Sequence, residues 1–101
     1  MEYRIEETAD ETAVVHFSGA ITFSENVRFR QALSDLADID DLKHCTLNLS
    51  GVEMIDSSGL GMFQIAKEKA DTSNWSLKVE GASGHIASLL KLTKLDDILE
   101  R

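Results

Sequence analysis

The stretch LNLSGVEMIDSSGLGMF, Leu47 to Phe63, changes its hydrophobic period midway. Leu47 and Leu49 alternate with Asn48 and Ser50, as in a half-buried strand. Leu60, Met62, Phe63, Ile65 and Ala66 instead belong to a helical stretch from about residue 58 to 70. Between the two, Gly51-Val52-Glu53 reads as a turn, Met54-Ile55 returns to apolar character, and Asp56-Ser57-Ser58-Gly59 has the composition of a helix start. A strand that hands over to a helix is half of an α/β unit, so this stretch decides the fold class.

Working outward, period-two alternation recurs at Tyr3 and Ile5, at Ala13, Val15 and Phe17, at Cys45 ahead of Leu47, and at Trp75, Leu77 and Val79. Helical spacing recurs from about residue 24 to 37, with Phe29, Leu33 and Leu36 on one face and Ala32 beside them. It recurs again from 83 to 93, where Ile86, Leu89, Leu90 and Thr93 form a stripe, and Leu95, Ile98 and Leu99 read as a last short turn or helix. The short connection at Asp10 and Glu11 makes the first two strands an antiparallel hairpin, and the later strand-helix-strand units imply parallel neighbours. The expectation is a small mixed α/β sheet of four to five strands. Because its strands alternate, helices should cover mainly one face. Leu33, Leu47, Leu49, Phe63, Leu77 and Leu89 are expected in the core. Proline is absent, so Gly, Asp, Asn and Ser make the turns.

At 101 residues and 43% hydrophobic content the chain supports one domain. A net charge of −8 opposes nucleic-acid binding, which depends on Lys and Arg neutralising phosphates, and favours protein partners with basic surfaces. No apolar run nears the roughly 20 residues of a membrane span. The opening MEYRIEE lacks the features of a signal peptide, so a cytoplasmic protein without membrane insertion is expected. The single cysteine, Cys45, reads as a buried thiol. Asp38, Asp40 and Asp41 lack the pattern of a calcium loop and read as a solvated helix end and loop. No metal or cofactor is called for.

Three roles compete for the serines of MIDSSGLG, Met54 to Gly61. A nucleophile on an elbow needs Gly-x-Ser-x-Gly and a general base, but only Gly59 falls in place and His16, His44 and His85 are scattered, so an enzyme is not expected. A nucleotide-binding loop needs a Lys-Ser/Thr end that is missing. A helix cap suits Ser, with Asp56 favourable at the positive end of the helix dipole. A phosphate acceptor also fits, because Gly59 and Gly61 leave side-chain-free space and the added charge of about −1.5 to −2 is tolerated at a helix N-terminus.

The chain resembles the STAS domain family, in particular its single-domain anti-sigma factor antagonists. FSGAITFSENVRFRQAL is similar to the family's second strand, turn and first helix, LNLSGVEMIDSSGLGMF to its signature, and LKVEGASGHIASLLKLTKLDDIL to its last strand and C-terminal helices. The resemblance implies phosphorylation at Ser57, directly after the motif Asp, with Asp56, Ser58, Gly59, Leu60, Gly61, Thr22 and Ser24 shaping the partner-binding surface. It implies an unphosphorylated form that binds an anti-sigma factor, often itself the serine kinase, and a serine phosphatase that resets the switch. It equally embraces docking subunits of a lipid-transport ATPase or of a signalling enzyme such as a diguanylate cyclase. Thr22 stands where the family often has Asp, and Asn48-Leu49-Ser50 where it usually has Asp-Leu-Ser. From the residues alone, Thr22 and Glu25 read as a capping box for the first helix, with Ser24 a competing cap.

Overall fold

The structure, a computed structural model, describes residues 1–92. Thr93 and the short element expected at Leu95, Ile98 and Leu99 lie outside them. In chain order come β1 (Glu2–Ala9), β2 (Thr12–Ile21), a 3₁₀ turn (Phe23–Glu25), α1 (Asn26–Ala37), β3 (His44–Ile55), α2 (Ser57–Ser73), β4 (Ser76–Glu80) and α3 (Gly84–Leu92). They form one mixed sheet of four strands in the order β1-β2-β3-β4. The first pair is antiparallel and the other two are parallel. Asp10 and Glu11 make the hairpin turn, Glu11 with φ 63. The parallel pairs require crossovers, and α1 and α2 supply them.

One face of the sheet is sealed. Ala13, Val15 and Phe17 on β2, Cys45, Leu47 and Leu49 on β3, and Val79 on β4 are each no more than 3% exposed. The Phe29 ring of α1 stacks on Phe17 with centroids 5.3 Å apart, and Phe63 of α2 meets Phe29 edge-on at 5.4 Å. This relay of rings, from strand to first helix to second, places both crossover helices on the same face. The alternate residues Val14, His16, Thr46 and Asn48 are half-buried, as expected for a face left partly wet. Cys45 is sealed with its neighbours, and desolvation pushes its thiol up to about 12.

Three expectations are corrected. Gly51-Val52-Glu53 is not a turn but part of the twelve-residue β3. Asn48 pairs with His16 and Gly51 with Ser18, then Val52 with Gly19 and Met54 with Ala20, so β3 carries an extra residue twice. Each bulge shifts the phase of the strand, and its inward positions run 45, 47, 49, then 52 and 55. Second, Leu77 and Leu89 are only partly buried against the core, and Val79, Ile86 and Leu90 fill the positions expected of them. Leu77 lies on the outer strand, which has a neighbour on one side only. Third, no capping box forms before α1. Thr22 makes no capping bond, its hydroxyl lies 2.9 Å from that of Ser24, and the Glu25 carboxylate sits 3.2 Å from the Met1 amino group instead.

Candidate functional site

Asp56 is the hinge between β3 and α2. Its backbone is extended (φ −89, ψ 178), and its carboxylate accepts the Gly59 N–H at 2.7 Å. The helix ladder then opens with the Leu60 N–H donating to the Asp56 carbonyl at 3.1 Å. Capping therefore falls to Asp56 and not to a serine. A carboxylate at the positive end of the helix dipole is the stronger acceptor, since it adds charge to the hydrogen bond. Ser57 and Ser58 are thereby left uncommitted. Both are exposed, and neither hydroxyl makes a hydrogen bond among the described residues.

Gly59 locks the first turn of α2 onto the sheet. A Cβ there would collide with the Ile21 carbonyl oxygen and stand 2.9 Å from the Ile55 Cγ2. Only glycine permits this approach. The Asp56 N–H also donates to the Ile21 carbonyl, at 3.3 Å, so the end of β2 and the start of α2 are tied together. Thr22 and Ser24, directly after Ile21, are thereby carried to the same edge of the molecule. Of the predicted partner-binding residues, Gly59 and Leu60 are buried and support the site from below, and Asp56 and Thr22 are half-buried. Ser24, Ser57, Ser58 and Gly61 are exposed.

The apolar part of the site was not anticipated from the sequence. Among the described residues the exposed large hydrophobics are Phe23 (67%), Val27 (75%), Met54 (46%) and Ile65 (36%). Phe23 and Ile65, with Asn26, Arg30, Ser58 and Gly61, line a groove of about 320 Å³ between the start of α1 and the start of α2. A signal for it was present. Phe23 and Val27 miss the Phe29, Leu33, Leu36 stripe, and Ile65 misses the buried series Gly59, Phe63, Ala66, Ala70.

Two of the three histidines are engaged by other side chains. His16 is engaged by Glu6 at 2.9 Å on the open sheet face, and His44 by Ser76 at 2.8 Å. The acidic hollow lined by Glu7, Asp10, Glu11, Asp40 and Asp41 lies at the hairpin turn, where β2 begins, whereas Ser57 follows the end of β3. With β2 and β3 parallel, those are opposite ends of the sheet.

The family model described as "Mlab, STAS domain" matches residues 6–100. The chain belongs to the STAS domain family. Among solved structures, this STAS domain is similar to the anti-sigma factor antagonist SpoIIAA in its unphosphorylated form, with a TM-score of 0.82 at 15% identity, covering 98% of this chain and 86% of that one. It is similar to the Bacillus cell fate determinant SpoIIAA in the phosphorylated form, at a TM-score of 0.76 and 15% identity, covering 98% and 89%. An anti-sigma factor antagonist from Mycobacterium paratuberculosis is similar at a TM-score of 0.74 and 24% identity, covering 97% and 81%. At these identities the likeness shows the fold. No helix among the described residues is long and apolar enough to cross a membrane.

Proposed function

We propose that this STAS domain is a phosphoserine-switched regulatory binding protein of the cytoplasm, without catalysis of its own. Unphosphorylated, it binds an anti-sigma factor that is also a serine kinase; phosphorylation at Ser57 releases that partner, and a serine phosphatase restores binding. The observation that carries this reading is the division of labour at the helix start. Asp56 does the capping, so the Ser57 hydroxyl is exposed and uncommitted, and a phosphate there would stand at the positive end of the α2 dipole, which offsets its repulsion by the neighbouring Asp56 carboxylate. The likeness to a protein solved in both phosphorylated and unphosphorylated forms supports it.

The test compares partner affinity of Ser57→Ala with that of Ser57→Asp. Ser57→Ala should bind constitutively and Ser57→Asp poorly; equal affinities would sink the switch. A condition-dependent gain of about 80 Da mapped to Ser57 in protein from its own cells would establish the modification. A second reading draws on the family description, which names Mlab. In it the domain is a docking subunit of a lipid-transport ATPase, or of a signalling enzyme such as a diguanylate cyclase, and Ser57 stays unmodified in every growth condition.

A further inference from the structure

The groove at the head of α2 continues along the seam between α1 and α2. A second depression shares Arg30 and Ile65 with the first and reaches Lys69, with Asp38 at its far end. On one side Asn26, Arg30, Leu33 and Ala37 of α1 recur at steps of four, three and four. On the other Ser58, Gly61, Ile65 and Lys69 recur at steps of three, four and four, so each set lies on one helical face. From Ser58 to Lys69 the groove follows about 16 Å of helix, or three turns. It carries Phe23 and Ile65, two of the four exposed large hydrophobics among the described residues. Arg30 and Lys69 border that apolar strip, and neither makes an ion pair among the described residues. In a chain of net charge −8, two unpaired cations against the one carboxylate of Asp38 leave a local excess of positive charge beside exposed apolar surface.

We infer that the α1–α2 groove seats an amphipathic helix of the partner protein whose apolar face is edged by Asp or Glu. This rests on the regulatory-binding reading above and gives its partner a chemistry. Three turns of groove match three turns of helix, and apolar anchors repeating at three and four residues fall along the strip. Gly61 offers no atom within 4 Å of where its Cβ would stand, leaving a notch for one such anchor. The partner's carboxylates meet Arg30 and Lys69, which disfavour a helix with basic edges. A phosphate on Ser57, next to groove-lining Ser58, would add charge of the partner's own sign at the head of the groove. Modification would then repel the helix without reshaping its seat.

Isotope-labelled protein is titrated with two helical peptides of about four turns, both with Leu at i, i+3, i+4 and i+7, one edged by Glu and the other by Lys. The Glu peptide should shift the amides of Arg30, Gly61, Ile65 and Lys69. The Arg30→Glu, Lys69→Glu double variant should bind it about tenfold or more weakly and gain affinity for the Lys peptide, with an unchanged circular dichroism spectrum. Preference of the parent for the Lys peptide, shifts confined to another face, or no binding at about millimolar peptide would overturn the assignment. So would these residues binding anionic phosphatidylglycerol vesicles, or mediating dimerisation, while ignoring the Glu peptide. The switch is judged separately, because the peptides bypass it. Should the Glu peptide bind as expected while Ser57→Ala and Ser57→Asp hold the native partner alike, the groove assignment stands and the switch falls; the converse pattern overturns only the groove.

Discussion

Asp56 and Ser57 are adjacent, yet their side chains are used differently, and stability separates them. Asp56→Ala removes the carboxylate that holds the Gly59 N–H, so it should cost about 1 kcal/mol in denaturant unfolding. Ser57→Ala removes an exposed hydroxyl and should stay within about 0.5 kcal/mol. The two nearby glycines part in the same way. Gly59→Ala forces a methyl into the Ile21 carbonyl and should destabilise by about 1–3 kcal/mol, because the obstruction is backbone and cannot swing aside. Gly61→Ala points into open space within α2 and should stabilise by about 0.5–1 kcal/mol while filling the groove's notch. A thermal melt of each reads the signs. A pH effect sits at the other end of the residue scale. The Tyr3 hydroxyl donates to Asp35 at 2.7 Å and the Gln31 amide at 2.8 Å, and these bonds hold the Asp35 carboxyl below its usual range. With the folded value below the unfolded one, the contribution is present above about pH 4 and is lost as pH falls through the folded value. The same bond, ahead of burial and the Asp35 charge, raises the Tyr3 hydroxyl's pKa, so that side's contribution holds below about pH 10 and fades as pH rises through the folded value. Tyr3→Phe should raise the Asp35 pKa in a carboxyl NMR titration and shrink the acid-side loss of stability.

Among the elements, β3 does the most positioning, and it is where the sequence is hardest to read. Alternation was legible through Leu49, and with it the hairpin, the two parallel pairs and the single helical layer. Past Leu49 two extra residues break the period, and a bulge has no signature in a hydrophobic pattern beyond the break itself, so the segment read as a turn. The start of α2 was legible to within about a residue, but the cap was offered to serine on its preference for that position. The choice among three neighbouring oxygen-bearing side chains rests on tertiary geometry: β3 ends extended at Asp56, and Gly59 must press on Ile21. The apolar groove escaped notice because Phe23 precedes α1, off its core-facing stripe, and Ile65 was read only as one apolar residue of a helical stretch. Burial now grades those assignments. Leu47→Ala, fully enclosed at mid-sheet, should cost about 2–5 kcal/mol in equilibrium unfolding. Leu77→Ala, on the outer strand and only partly buried, should cost clearly less.

At the scale of the whole molecule, charge and strand order matter most. A net charge of −8 on so small a body repels itself, and two ion pairs among the described residues, Met1 amino group with Glu25 and Arg28 with Glu2, do little to offset it. Screening should therefore raise the melting temperature as salt goes from low to about 0.5 M, and a fall would indicate that the ion pairs outweigh the general repulsion. The strand order has a different consequence. Position in the sheet follows position in the chain, β1 to β4 without a skipped place. On the ribosome, which releases the polypeptide from its amino terminus, β2 emerges to find β1 already made, β3 finds the edge of β2, and β4 the edge of β3. Among the described residues each strand after the first is born beside its template, so the nascent chain need not reserve a gap between two finished strands for a third not yet synthesised.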